Sequence, residues 1–267
     1  MALSNDQIRQ NVRSRYKKIA IQDVSAPSCG CSSEAACCNT QVDRNNVSEQ
    51  LGYSPEELNA APEGANLGLG CGNPQAIASL KPGESVLDLG SGGGFDCFLA
   101  ARQVGETGQV IGVDMTPEMI SRARQNAVKG SITNTDFRLG EIEHLPVADQ
   151  SVDVILSNCV INLSPDKPQV FKEAFRVLRK GGRLAISDVV LTAELPAAIK
   201  NDLDVSYSGC MSGASSIADL QNMLEQNGFT QIEISPKDES KKFIKEWSPG
   251  TDIEKYIVSS TIQAVKP

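Results

Sequence analysis

The stretch Val86–Asp96, VLDLGSGGGFD, constrains the fold of this 267-residue chain more than any other. Val86, Leu87 and Leu89 form the short apolar run expected of a strand buried on both faces. Asp88 lies near its end. Gly90, Gly92, Gly93 and Gly94 then make a tight loop, and a helical pattern starts at Phe95. A strand, a glycine turn and a helix start bring unpaired backbone N–H groups up to a ligand. Glycine leaves no Cβ to hold that ligand off. A phosphate-binding P-loop is excluded, because no Gly-Lys-Ser/Thr follows. The dinucleotide fingerprint G-x-G-x-x-G fails at its last glycine, where Phe95 stands.

Around this stretch the chain alternates strand and helix patterns, which predicts a parallel sheet covered on both faces. Helix 95–103 leads to strand Gln109–Asp114; Pro117 opens a helix through Val128. Strands follow at 135–139 and 152–157, then a helix at 167–178. Lys180-Gly181-Gly182 reads as a helix stop and turn, and 183–190 as the fifth strand. Helices are expected at 196–207 and 217–227, and an antiparallel edge pair at 229–234 and 257–265, for seven strands in all. Ahead of the core, Ser4 and Gln7 fit a capping box. Ile8, Val12, Tyr16 and Ile19 fall on one helical face, packed on the body of the protein. Ser54-Pro55-Glu56-Glu57 is a second helix start.

An acid two residues before the first glycine of a G-x-G turn resembles motif I of the class I S-adenosylmethionine-dependent methyltransferases. The fold class expected is therefore α/β, a Rossmann-like, mostly parallel sheet of seven strands with an N-terminal helical, Cys-rich arm. Asp114 closes the second strand, where an acid faces the ligand crevice and can accept both ribose hydroxyls; Met115 beside it could flank the adenine. Ile142 and Glu143 resemble the apolar and acidic pair with which this class grips adenine. Asn158, at the end of the fourth strand, resembles the residue closing the ring around the methionine moiety. With Asp88, Gly90 and Gly92 these make the expected cofactor set. Residues 81–193 read as the cofactor core, 1–80 as a helix, a Cys-rich loop and a substrate-capping loop, and 194–267 as a substrate-site loop, helices and edge strands.

The net charge of −8 argues against a nucleic-acid or anionic-membrane partner. No apolar stretch reaches membrane-spanning length, and residues 1–18 lack the apolar centre of a secretory leader, so the chain is expected in the cytoplasm. Eight cysteines there suggest metal, redox or catalytic roles before structural disulfides. His144 is the sole histidine, which argues against His-triad catalysis and a His-rich metal site. Cys29, Cys31, Cys37 and Cys38 crowd a loop of small residues. Their spacing is not that of a zinc knuckle; a redox-active or metalloid-capturing loop and a cluster without function both remain. Cys97 sits in an apolar helix and reads as packing.

Cys71, Cys159 and Cys210 are different, because each lies in a loop. Cys71 is surrounded by glycines at 68, 70 and 72, Cys159 leaves the fourth strand, and Cys210 sits in YSGCMSGA. Three thiolates without imidazole suit a soft centre. Trivalent arsenic takes three in a pyramid and keeps a lone pair able to attack a sulfonium methyl without a general base. DLGSGGGFD, GVDMT, SNCVINLSPDK, SGCMSGA and the Cys71 loop together resemble the arsenite methyltransferases. That resemblance implies metalloid binding by Cys71, Cys159 and Cys210. It also implies a disulfide between Cys71 and an N-terminal cysteine, Cys37 or Cys38, and turnover with thioredoxin or glutathione as reductant. The alternatives are a small-molecule C-methyltransferase of the quinone-biosynthesis type and a non-catalytic thiol metalloid binder or sensor.

Overall fold

A computed structural model describes residues 3–21, 44–196, 211, 213–248 and 250–267. The helices are α1 (Asn5–Ile21), α2 (Arg44–Gln50), α3 (Pro55–Ala60), α4 (Gln75–Ala78), α5 (Phe95–Val104), α6 (Pro117–Lys129), α7 (Lys167–Val177), α8 (Ile217–Gln226) and α9 (Lys241–Ile244). The strands are β1 (Ser85–Leu89), β2 (Gln109–Asp114), β3 (Thr135–Leu139), β4 (Val152–Asn158), β5 (Leu178–Leu191), β6 (Ser215–Ser216), β7 (Thr230–Lys237) and β8 (Ile257–Val265).

They form one sheet in the order β3-β2-β1-β4-β5-β8-β7. From β3 to β5 every pairing is parallel; β8 runs antiparallel to both β5 and β7. The eighth strand, beyond the expected seven, is the two-residue β6 beside the end of β5. Chain order reverses at β1, which pairs with β2 on one side and β4 on the other. A crevice opens at such a switch point, at the carboxyl ends of the strands. The core divides between the two faces of the sheet. One half packs Phe98, Ala101, Ile120 and Ala123 from α5 and α6, the other Phe171, Val177, Leu220 and Leu224 from α7 and α8. Burying strands on both faces is what their near-continuous apolar runs require.

Two elements differ from the sequence reading. The glycines after α7 do not make a turn ahead of the strand; they form a bulge inside β5. Gly181 N–H donates to Lys266 O at 2.7 Å and Lys266 N–H to Gly182 O at 2.9 Å. Register against β4 shifts between Val152 and Val154. Backbone pairing thus continues through the glycines, and the left-handed φ of 77° at Gly181 absorbs the extra residues. In the edge pair, Phe229 is a buried core residue, and β7 runs on to Lys237 because β8 pairs with it up to Ser259. Pro236 is accommodated because β7 is an edge strand. The helix expected at 196–207 lies almost wholly outside the described residues. The capping boxes at Ser4 and Ser54 are both formed. No helix among the described residues is long and apolar enough to cross a membrane.

Candidate active site

The glycine loop holds its shape through the next strand. Gly90 and Ser91 N–H both donate to Val113 O, at 2.7 and 3.0 Å. Gly92 N–H donates to Asp114 Oδ2 at 3.0 Å, and Thr116 N–H to Asp114 Oδ1 at 2.8 Å. Gly90 has φ 70°, and a Cβ there would run into the Val160 side chain that follows Cys159. Only glycine lets these two loops close on each other.

One cavity lies across the crevice. Asp88, Gly90, Gly92, Asp114, Met115, Ile142, Glu143 and Asn158 all line it, as does Cys159. The structure therefore brings the whole expected cofactor set together. It also adds residues the sequence reading left as packing or passed over. Arg9, Val12 and Tyr16 of α1 line the same cavity. Arg9 pairs with Glu143 at 3.2 Å, and Ser164 Oγ donates to the same carboxylate oxygen at 2.7 Å. Nothing in the sequence around Arg9 announces a partner 134 residues away.

The acids are electrostatically tense. Burial pushes the Asp88 carboxyl well up, and the charge of Asp96 adds to it. Burial also raises Asp114, and lifts Asp96 to about 6 against the hydrogen bonds it accepts. The Cys97 thiol lies 3.2 Å from Asp88 Oδ2; burial and that carboxylate raise its pKa. Cys97 is thus held in the core as a neutral donor, in keeping with its expected packing place.

Asn158 reaches in an unexpected direction. Its Oδ1 accepts from Cys71 N–H at 3.0 Å, while Nδ2 donates to Gly72 O at 2.8 Å and to the Tyr53 hydroxyl at 3.0 Å. Tyr53 Oη donates to Asp96 Oδ1 at 2.8 Å, and Gln75 Nε2 to Asp96 O at 2.9 Å. Tyr53 is recoverable from sequence only as the residue before the Ser54 cap, a signal about helix entry and not about this site.

Cys159 follows with φ 58°, a left-handed conformation that non-glycine residues keep only when their surroundings impose it. Its N–H donates to Ser187 O at 2.8 Å. Cys71 is fully buried against it, and the two are joined as a disulfide with Cα atoms 5.8 Å apart. The loop Gly70–Gly72 is fastened to Asn158, and this sets Cys71 within bridging range of the next residue, whereas the partners expected for Cys71, Cys37 or Cys38, are not among the described residues. Cys37, Cys38 and Cys210 lie outside the described residues. Both sulfurs and a carboxylate oxygen of Asp188 lie within 4.8 Å of one another. Burial lifts Asp188 to about 6, while Val189 and Asn162 donate to it. A lone acid inside the apolar strand RLAISDVVL is the mark that Asp188 leaves in the sequence.

Residues 80–228 match a family described as a methyltransferase domain. An arsenite methyltransferase of Halobacterium salinarum is 53% identical over 98% of this chain and 67% of its own length. One from Aquipseudomonas alcaligenes is 44% identical over 60% of this chain and 48% of its own length. Among solved structures, an arsenic(III) S-adenosylmethionine methyltransferase from Chlamydomonas reinhardtii superposes with a TM-score of 0.61. It is 34% identical and covers 82% of this chain and 73% of its own.

Proposed function

The chain belongs to the arsenite methyltransferase family, and on that premise we propose that it methylates trivalent arsenic held by Cys71, Cys159 and Cys210, with S-adenosylmethionine as donor. The observation that carries the reading is that Cys159, with Cys71 bonded to it, stands in the wall of a cavity lined by every residue of the cofactor set.

The residues present suit that donor. Asp114, already aimed by two backbone N–H groups, offers its remaining lone pairs to ribose hydroxyls. Ile142 offers an apolar face, and Glu143 an acceptor beside it. The acidic lining of Asp88 and Asp96 complements a cationic sulfonium, and the burial that costs these carboxylates solvation increases what a positive ligand returns. When bound, S-adenosylmethionine supplies an electrophilic methyl to which the lone pair of thiolate-held arsenic is the nucleophile.

The cysteines do the remaining work. Reduced Cys71, Cys159 and Cys210 displace oxygen or thiol ligands from arsenite, and each sulfur fixes one direction of the pyramid. No residue need act as general base, because the nucleophile is a lone pair; positioning dominates. Each methylation raises arsenic formally to the pentavalent state. Closing the Cys71–Cys159 disulfide releases two electrons that restore the trivalent form. A cellular dithiol, thioredoxin or two glutathiones, then reopens the pair. Once a methyl occupies one coordination position, Cys159 and Cys210 are enough to hold the product for a second round. The protein acts in the cytoplasm, where such reductants are supplied.

The test is labelled S-adenosylmethionine with arsenite and a thiol, products being separated by oxidation state and methyl count. Cys159→Ser and Cys210→Ser should abolish both methylations; Cys71→Ser should spare methylation of monomethylarsenite. A fully active Cys159→Ser enzyme would remove the site, and methyl transfer to a carbon acid that ignores arsenite would favour the quinone-type reading.

A further inference from the structure

Asn158 lines the cavity, yet its carboxamide is committed to the loop that carries Cys71. Oδ1 takes the N–H of Cys71 and Nδ2 gives to the carbonyl of Gly72, so the group pairs with that loop much as a neighbouring strand would. The approach depends on residue 70. A Cβ on Gly70 would stand 2.8 Å from both carboxamide heteroatoms, and its φ of 131° is one that side chains rarely allow. Behind the carboxamide, Tyr53 takes a hydrogen from Nδ2 and passes its own to Asp96. Tyr53 and Asp96 are both buried. A buried network with its donors matched to acceptors is rigid.

The next residue in the chain is Cys159. One strand end therefore places both sulfurs, Cys159 by covalent connection and Cys71 by two hydrogen bonds to its loop. We propose that Asn158 is the positioning residue that holds Cys71 beside Cys159, with Tyr53 and Asp96 bracing it. Methyl transfer to carbon, nitrogen or oxygen has no use for such a template. The consequence for arsenic chemistry rests on the functional reading above; the placement of the two sulfurs does not.

The measurable quantity is the equilibrium between the Cys71–Cys159 disulfide plus two glutathiones and the free dithiol plus glutathione disulfide. Two electrons and two protons move from glutathione to the cysteine pair. In glutathione buffers of defined ratio, the bridged Cys71–Cys159 peptide is quantified by mass spectrometry. Asn158→Ala loses both hydrogen bonds to the Cys71 loop, so its disulfide-forming constant should fall at least about tenfold. A single cooperative melting transition and an unchanged far-ultraviolet circular dichroism spectrum identify the folded variant. Should Asn158→Ala not fold, Asn158→Asp decides: it keeps the acceptor for Cys71 N–H but turns an oxygen toward Gly72 O, and the same fall is expected. A constant within about twofold of the unsubstituted protein, in whichever variant folds, overturns the proposal. In the methylation assay, lost positioning depresses the first methylation and spares the second, whereas general destabilisation lowers both with the melting temperature. If the unsubstituted protein makes no methylarsenical, the functional reading fails and the glutathione constant still decides this one.

Discussion

Burial holds the Asp88 carboxyl well above its ordinary range, and Asp96 raises it further. Between the ordinary aspartate value near pH 4 and the raised folded value, the native state binds more protons than the unfolded chain. Stability therefore falls as pH rises through that window, the penalty of ionising a buried acid. Asp88→Asn removes it. The ligand-free variant should melt higher than the parent at pH 7.5, with the gain shrinking toward pH 4, while its affinity for S-adenosylhomocysteine drops. Calorimetry at both pH values checks the sign: a gain that grew on acidification would mean Asp88 is not the strained group. Such residues divide by how they announce themselves. Asp88 and Asp114 end apolar strands, and strand ends face ligands, so one-dimensional pattern sufficed. Tyr53 and Asp96 meet 43 residues apart, and Arg9 finds Glu143 across 134. Contacts of that separation exist only once the sheet has set the geometry.

At the scale of elements, α1 is the part whose role changed most. Its apolar face predicted packing, and Val12 is buried as that face requires. The polar residues beside it do something the period does not encode: Arg9 reaches Glu143, Arg13 reaches Glu141 at 3.1 Å, and Lys17 reaches Glu118 at 2.9 Å. The helix thus lies as a strap over the Ile142–Glu143 end of the cavity, tied to the loop after β3 and to α6. The Arg9 contact is the most buried of the three, and buried charge pairs cost most when one partner is removed. Arg9→Ala should leave Glu143 unpaired and loosen the strap. We expect S-adenosylmethionine KM to rise about five- to tenfold, the order of one net hydrogen bond. With kcat within about twofold, the lost term would be uniform binding. A fall in kcat at unchanged KM would instead place Arg9 in the transition state. Strands were legible where the chain is apolar and parallel. The Gly181-Gly182 bulge was not, because its hydrogen bonds go to Lys266 at the far end of the sequence.

For the whole molecule, the Cys71–Cys159 link ties the loop before β1 to the end of β4, 88 residues apart. The chain-entropy account assigns a loop of that length roughly 4–5 kcal/mol of stabilisation, released when the bond is reduced. For a domain of this size that is a drop in melting temperature on the order of 5–10 °C, with strain and residual unfolded structure reducing it. On the proposed function, arsenic bound by both sulfurs would close the same loop. The substrate complex and the oxidised protein are then alike in topology, and the open dithiol between them is the least stable species of the cycle. Three states should therefore be separable by melting. The oxidised protein melts high, glutathione or dithiothreitol lowers it, and stoichiometric arsenite with a monothiol raises it again. In Cys71→Ser, reduction should leave the melting temperature unchanged, since no such loop is closed. An equal drop on reduction in Cys71→Ser would place the responsible disulfide among other cysteines, and no recovery with arsenite in the parent would show that the two sulfurs do not bridge the metalloid.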